Sequence, residues 1–170
     1  PVFKKKDLIK NNNVNIYSTN FSLYGDMSNR VMSILAEELQ QIEIYSIDEA
    51  FLNLNGIENK EDYALKIKQK ILKYTGIPIS IGIGKTKTLA KIANSIAKQT
   101  NRGVYCIKSN AQTEKILKKT NVSKIWGIGK NISQQLYSSN IYTAEQFRKK
   151  DSAWIKKKMS ITMLKTQEEL

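Results

Sequence analysis

Two adjacent acids, Asp48 and Glu49, are the residues of this 170-residue chain best placed to do chemistry. They sit at the join of Ile42 to Leu54, IEIYSIDEAFLNL. In that stretch Ile42, Ile44 and Ser46 alternate with Glu43, Tyr45 and Ile47, and Phe51, Leu52 and Leu54 follow, so both halves read as strand at a period of two. Neighbours on a regular strand point to opposite faces, and consecutive carboxylates converge only where a turn or bulge intervenes. A tight hairpin supplies that turn. Two unneutralised carboxylates repel, and a hard divalent cation such as magnesium, which takes a few carboxylates plus substrate phosphates, relieves the repulsion. An ordinary solvated hairpin tip accounts for the same spacing.

The flanking elements must hold this tip in place. Val2 to Ile9 reads as one or two amphipathic helical turns, broken at Asn11 to Asn13, with a strand-like Val14 to Tyr17 after it. Met27, Val31, Ile34, Leu35 and Leu39 recur at helical spacing, which predicts a helix over Ser22 to Leu39 lying against the sheet that carries Asp48. Gly56 to Asn59 is a turn; Tyr63, Ile67, Ile71 and Tyr74 mark a second helix ending near Gly76, with lysines 66, 68, 70 and 73 on a solvated face. Ile77 to Gly84 reads as a strand. The helix after it carries a buried stripe, Leu89, Ile92, Ala93, Ile96 and Ala97, and a second line, Lys87, Lys91, Asn94 and Lys98, that faces either solvent or phosphates. Val104 to Ile107 is a last strand. Beyond Ser109 the pattern changes to short helices and polar turns, so a domain boundary falls near Lys108 to Thr113, with a short helix from Thr113 to Lys119.

Two glycine motifs lie in the basic half. Gly84-Lys85-Thr86 imitates the end of a nucleotide-binding P-loop, but Ile79 stands where the first glycine is required, and Ile79, Ile81 and Ile83 alternate as buried strand. Gly127-Ile128-Gly129, followed by Lys130 and a helical Ile132 to Leu136, has the pattern of a helix-hairpin-helix. The glycines let backbone approach a phosphate, the next helix's free amides favour the anion, and Ile128 plugs the hairpin into the core. Such a corner grips phosphates without reading bases. Thr143 to Gln146 is a capping box, and Asp151 or Ser152 caps a further helix with Trp154, Ile155 and Met159 inward and Lys156 to Lys158 outward.

Composition bounds the class. The chain holds 28 Lys and Arg against 15 Asp and Glu, a net +13. Residues 1–84 are balanced at ten of each, whereas residues 85–170 carry 18 bases and 5 acids. All the surplus lies in the second half, which suggests a polyanion-binding part beside a neutral part; a solubilising surface is the bland alternative. One cysteine and no histidine leave neither an internal disulfide nor a structural zinc set, and no apolar run is long enough to span a bilayer, so cytosolic residence fits and no membrane partner is expected.

Tyr45-Ser46-Ile47-Asp48-Glu49-Ala50-Phe51 resembles the Ser-x-Asp-Glu motif of Y-family translesion DNA polymerases, most closely the UmuC branch (ImpB/MucB/SamB). Asn20 to Met32 and Gly76 to Lys98 resemble that branch in the same order. The resemblance implies an α+β fold: an incomplete antiparallel palm sheet backed by helices over residues 1–109, then a small all-helical thumb with the helix-hairpin-helix over residues 110–170. It implies template-directed nucleotidyl transfer with two Mg2+ ions, Asp48 and Glu49 as catalytic and metal-binding acids, Lys98 on the incoming triphosphate, and Gly127, Ile128, Gly129 and Lys130 on DNA. The implied partners are damaged primer-template DNA, a deoxynucleoside triphosphate, a UmuD-type subunit, RecA and the sliding clamp, in the SOS response. The family's first catalytic aspartate precedes the region resembling Pro1, and a further DNA-gripping domain follows the region ending at Leu170. An incomplete chain, inactive alone, is therefore expected. A non-catalytic DNA-binding module and a P-loop nucleotide hydrolase are the alternatives.

Overall fold

The acid-bearing hairpin forms as its alternation requires. In the computed structural model, which describes residues 2–170, β1 (Ile42–Ser46) and β2 (Glu49–Leu52) pair antiparallel about a two-residue turn at Ile47-Asp48. Ile44 faces Ala50 and Ser46 faces Glu49, so Tyr45 is an extra residue on β1, a bulge just before the turn. One face of the hairpin carries Ile42, Ala50 and Leu52, which pack on the cluster formed by Met32 and Leu35 of α2 (Phe21–Glu38) and Ile67 and Ile71 of α3 (Lys60–Thr75). Asn20 and Asn59 cap these helices by accepting the Leu23 and Asp62 N–H groups, and Gly76 ends α3 at φ +73°. Where α2 ends, the Tyr63 hydroxyl donates to the Glu38 carbonyl at 2.9 Å and Lys70 Nζ meets the Glu38 carboxylate at 2.6 Å. That ammonium's hydrogen bond holds the Glu38 carboxyl below its ordinary value despite partial burial.

A second ladder lies beside the first. β3 (Ile81–Ile83) pairs with β4 (Val104–Cys106), and their order is parallel, because α4 (Lys87–Ala97) makes the crossover between them. The Ile81 and Ile83 side chains join the clusters of α3, whereas the Gly82 position faces α4. A Cβ on Gly82 would stand 2.0 Å from the Asn94 nitrogen, and one on Gly84 would stand 2.7 Å from the Ala90 nitrogen. These glycines exist for close packing of helix on strand. The strands thus form one layer, with α2 and α3 on one side and α4 on the other.

The outer face of α4 begins the largest core. Leu89, Ile92 and Ala93 cluster with Ile107 and with residues from α5 (Asn110–Lys119), α6 (Lys130–Ser138), α7 (Ala144–Arg148), α8 (Ser152–Lys158) and α9 (Ile161–Glu168). Phe147, Leu117, Leu136 and Ile155 are wholly buried at its centre. The predicted capping box forms, with Thr143 and Gln146 satisfying each other's backbone. Buried Glu145 takes two hydrogen bonds from Arg148, both 2.9 Å, and that guanidinium holds its carboxyl below the ordinary value. Just past α9, the Glu169 carboxylate accepts the Thr88 N–H at 3.0 Å and its hydroxyl as well, while the Thr86 hydroxyl donates to the Glu169 carbonyl at 2.6 Å.

Several expectations change. Val14 to Tyr17 forms no strand: no strand among the described residues lies alongside to pair with it, and Tyr17 is 84% exposed. The stretch Ile77 to Gly84 is paired only over Ile81–Ile83, because its partner starts at Gly103, whose turn at φ +65° fixes where pairing begins. The strands do not make a single antiparallel sheet. Tyr74 projects from α3 beside Lys73, whose Nζ lies 5.7 Å from the ring, instead of sharing the buried face. Lys70 is tied to α2, and the Lys68 side chain lies over Gly103, so neither is simply solvated. The helix expected from Thr113 starts earlier, at Asn110 behind the Ser109 cap. A 3₁₀ turn at Val2–Lys4 and α1 (Lys6–Asn11) begin the described chain and bury no residue.

The two kinds of glycine respond oppositely to a methyl group. Gly82→Ala is expected to lower unfolding free energy by about 3 kcal/mol through overpacking. Gly25→Ala, in α2 with nothing within 4 Å of the new Cβ, is expected to raise it by about 0.5–1 kcal/mol. Urea titration of the two variants against the parent chain measures both.

Candidate catalytic hairpin and nucleic-acid interface

The turn at Ile47-Asp48 is fastened from two sides. The Ser28 hydroxyl of α2 donates to the Ile47 carbonyl at 2.5 Å, and the Ser46 hydroxyl donates to Asp48 Oδ1 at 2.7 Å. Glu49 starts β2 and receives Lys91 Nζ from α4 at 2.5 Å. Both acids line one small cavity of about 170 Å3, together with Lys91 and Asn94. The bulge and turn thus bring consecutive carboxylates to a common space.

That pair does not by itself fit a divalent cation. Glu49 is already neutralised by an ammonium, Asp48 is engaged by a hydroxyl, and no group of three metal-capable side chains occurs among the described residues. Magnesium seeks six oxygens, most of which would have to come from elsewhere. What this chain supplies is a positioned, acidic tip.

The lysine line of α4 is real, and its first two members serve the hairpin. Lys87 Nζ reaches Glu43 at 2.5 Å and lies 5.3 Å from the Phe51 ring; Lys91 joins Glu49 and lies 5.9 Å from the Tyr45 ring. They cross-link α4 to the hairpin's outer face, a role that spacing alone did not assign. Lys98 is the exposed C-cap of the helix, about 10 Å along the axis from Lys91 at 1.5 Å per residue. The residues after Gly84 do not wrap a nucleotide: Lys85 Nζ donates to Asn110 Oδ1 at 2.9 Å, and Thr86 caps α4 by accepting the Leu89 N–H. With Gly82 and Gly84 committed to helix packing, the P-loop reading has no loop to stand on.

An aromatic group that the sequence reading missed joins the two halves. Trp126 meets Tyr45 edge-on at 5.2 Å and Phe51 at 5.5 Å, and its indole N–H donates to the Tyr45 hydroxyl at 3.3 Å. Tyr45 and Phe51 lie 5.9 Å apart on the hairpin face that also carries Glu43 and Glu49. The available signal was the alternation itself, which places these four side chains opposite Ile42, Ala50 and Leu52; no local pattern announces Trp126 as their partner.

Directly after Trp126 comes the glycine corner. Gly127 is exposed at φ +87°, Ile128 is 6% exposed in the core, and Gly129 is the N-cap of α6 with open space around it and no side-chain cap. Lys130 is exposed beside it. A glycine cap leaves the first amides of α6 without a side-chain acceptor, a geometry suited to an anion. The element before the corner is a three-residue 3₁₀ turn, Val122–Lys124, and the Val122 N–H donates to the Tyr142 carbonyl, which ties that segment across to the start of α7.

The Tyr45–Trp126 contact has a measurable strength. A double-mutant cycle with Tyr45→Leu and Trp126→Leu is expected to give a coupling of about 1 kcal/mol in unfolding free energy, the range of edge-on aromatic pairs, whereas independent halves would give none.

Residues 1–95 match the impB/mucB/samB family. UmuC of Salmonella typhimurium is 38% identical over 176 residues, which cover all of this chain and 42% of UmuC. DNA polymerase IV of Picrophilus torridus is 36% identical over 136 residues, covering 80% of this chain and 38% of that protein. The insertion ternary complex of Dbh DNA polymerase superposes with a TM-score of 0.81 at 27% identity, over 99% of this chain and 49% of that one. The chain spans about two fifths of the length of these curated relatives. Its mixed helix-and-strand fold is that of the Y-family polymerases, and the chain belongs to the impB/mucB/samB family.

Proposed function

We propose that this chain is the palm (residues 1–109) and thumb (residues 110–170) portion of a UmuC-like translesion DNA polymerase. The observation that carries this reading is the joining, through Trp126 and Tyr45, of an acidic hairpin tip to a glycine corner with an uncapped helix start. One end suits phosphoryl chemistry and the other grips a phosphate backbone. Dbh DNA polymerase, the solved neighbour described above, was captured as an insertion ternary complex, which supports DNA and nucleotide as the substrates.

In this reading Asp48 and Glu49 take part in nucleotidyl transfer from a deoxynucleoside triphosphate to a primer end on damaged template. With the rest of the carboxylate set, Asp48 and Glu49 would hold divalent metal, Mg2+ by resemblance, which would supply positive charge for the departing pyrophosphate. Ser46 orients Asp48 and Lys91 holds Glu49, so both carboxylates are fixed before substrate arrives. Lys98 meets the triphosphate, and Gly127, Ile128, Gly129 and Lys130 hold the duplex backbone without reading sequence. A UmuD-type subunit, RecA, the sliding clamp, the SOS setting and a cytoplasmic location follow from the family resemblance. Among the described residues no helix is long and apolar enough to cross a membrane. A non-catalytic DNA-binding module is the second reading, favoured by the absence of a third acid beside Asp48 and Glu49 among the described residues.

DNA binding, primer extension and nucleotide incorporation test these readings. The 170-residue chain is expected to bind primer-template DNA with an affinity that falls steeply with salt and to extend no primer; Gly129→Val is expected to weaken that binding about tenfold, by closing the backbone's approach. Primer extension by the chain alone would contradict the inactivity, and unchanged binding by the variant at moderate salt would remove the corner from the interface. In a complete polymerase carrying this segment, Asp48→Ala is expected to cut incorporation about a thousandfold while leaving DNA affinity intact. Normal turnover there would leave only the binding-module reading.

A further inference from the structure

α6 leads from the glycine corner to a pair of stacked tyrosines that the hairpin and the corner do not use. The Tyr137 and Tyr142 rings lie nearly parallel, 17° apart in plane and 5.7 Å between centroids. Tyr137 packs against the core of the helical half, whereas Tyr142 is 49% exposed and is the member presented to solvent. Both are tethered. The Tyr137 hydroxyl donates to Asn121 Oδ1 at 2.7 Å, an oxygen that also accepts the Ser123 N–H at 2.9 Å and the Ser123 hydroxyl at 2.8 Å. The Tyr142 N–H donates to Gln146 Oε1 at 2.8 Å, its carbonyl accepts the Val122 N–H at 2.9 Å, and its hydroxyl donates to Asn140 Oδ1 at 3.3 Å. A single exposed aromatic needs no explanation, but a stacked pair with its polar groups fastened is a rigid aromatic plane, ordered before any ligand arrives.

The surroundings of the pair favour a ligand that carries negative charge. From Lys115 to Thr143 the sequence holds five lysines and no acid. Exposed Lys119 and Lys124 flank the segment Thr120 to Val122, which runs antiparallel to Tyr142 to Ala144. Along α6, Lys130, Gln134 and Tyr137 recur at i, i+4 and i+7, so they share one face of the helix. At 1.5 Å per residue, Tyr137 stands about 10 Å along the axis from Lys130 at the corner. That is the rise of about three nucleotides on one strand of B-form DNA. An apolar protein surface would find little to bury: among the described residues from 115 to 143, Tyr142 alone is an exposed large hydrophobic. Lysines beside an aromatic plane are instead the combination that holds a single strand, ammonium on phosphate and ring on base.

We infer that Tyr142, stacked on Tyr137, is a landing plane for one unpaired base of a DNA strand whose backbone is held at the glycine corner and Lys130. The inference rests on the reading of that corner as a phosphate grip only for where the strand comes from; the aromatic plane and its lysines stand without it. Stacking takes any base, so the plane adds affinity for single-stranded character without adding sequence preference. A duplex whose bases are all paired offers no free ring face, and it gains nothing from Tyr142.

Fluorescence anisotropy on the 170-residue chain tests this with three labelled probes of about 12 nucleotides: a thymidine single strand, the same backbone without bases, and a blunt duplex. The base-bearing strand is expected to bind about tenfold more tightly than the base-free one. Tyr142→Ala is expected to remove that advantage and to leave the blunt duplex bound as before, whereas Tyr142→Phe, which keeps the ring, is expected to retain it. Should Tyr142→Ala fail to fold, Tyr142→Leu takes its place with the same expectation. The inference is overturned if the two single strands bind alike, if the ring-less variant keeps the advantage, or if Tyr142→Phe loses it; any of these leaves the pair a packing feature or a protein contact. Gly129→Val keeps the two ideas apart. If it leaves all binding unchanged while Tyr142→Ala loses the base-bearing strand, the corner fails and the aromatic plane stands; if it weakens the duplex while Tyr142→Ala changes nothing, this inference alone falls.

Discussion

The structure depends on the close approach of α4 to β3, which is possible only because residues 82 and 84 have no side chains. Helix backbone sits directly on strand backbone there. That contact fixes the rotation of α4, and everything on the helix is positioned by it. Its outer face supplies Leu89, Ile92 and Ala93 to the helical half, while its rim points Lys87 and Lys91 at the hairpin. Ala93 and Ala97 are wholly buried, which continues the same requirement for small residues along the helix.

The acidic tip is therefore supported by parts that are distant in sequence. Ser28 holds the turn from α2, Lys91 holds Glu49 from α4, and Trp126 holds Tyr45 from the helical half. The ion pairs that reach the hairpin, Lys87 with Glu43 and Lys91 with Glu49, are not deeply buried, so each contributes modestly to stability and mainly sets orientation. The aromatic contact is different: it couples the hairpin to the segment that leads straight into the glycine corner. Trp126 directly precedes Gly127 and Tyr45 stands three residues before Asp48, so this one contact joins the neighbourhoods of the corner and of the acids.

Much of this was legible because the pattern and the fold obey the same local rules. The hairpin followed from alternation, α2 and α3 from their apolar spacing, Gly76 from its place at a helix end, Ile128 from the need to anchor a polar corner, and the capping box from its residue types. What was not legible depended on partners. Val14 to Tyr17 has strand-like residues and, among the described residues, no neighbouring strand, so its pattern has nothing to act on. The parallel order of β3 and β4, the second role of the lysine line and the arrival of Trp126 at Tyr45 all require knowing which segments meet. The site was legible by type at Asp48 and Glu49, whereas Ser46, Lys91 and Trp126, which hold it, emerged only from contacts.

The acid at position 169 gives the two glycine-adjacent helices different fates. The N-terminal ends of α4 and α6 both carry the positive end of a backbone dipole, which attracts an anion. At α4 the berth is taken by a carboxylate of the same molecule, seated on the amide and hydroxyl of Thr88. An incoming anion would have to evict a resident that can never diffuse away. α6 starts at a bare glycine with no side-chain cap, so the two helix starts differ in whether an acid of the same molecule already sits on their first amides.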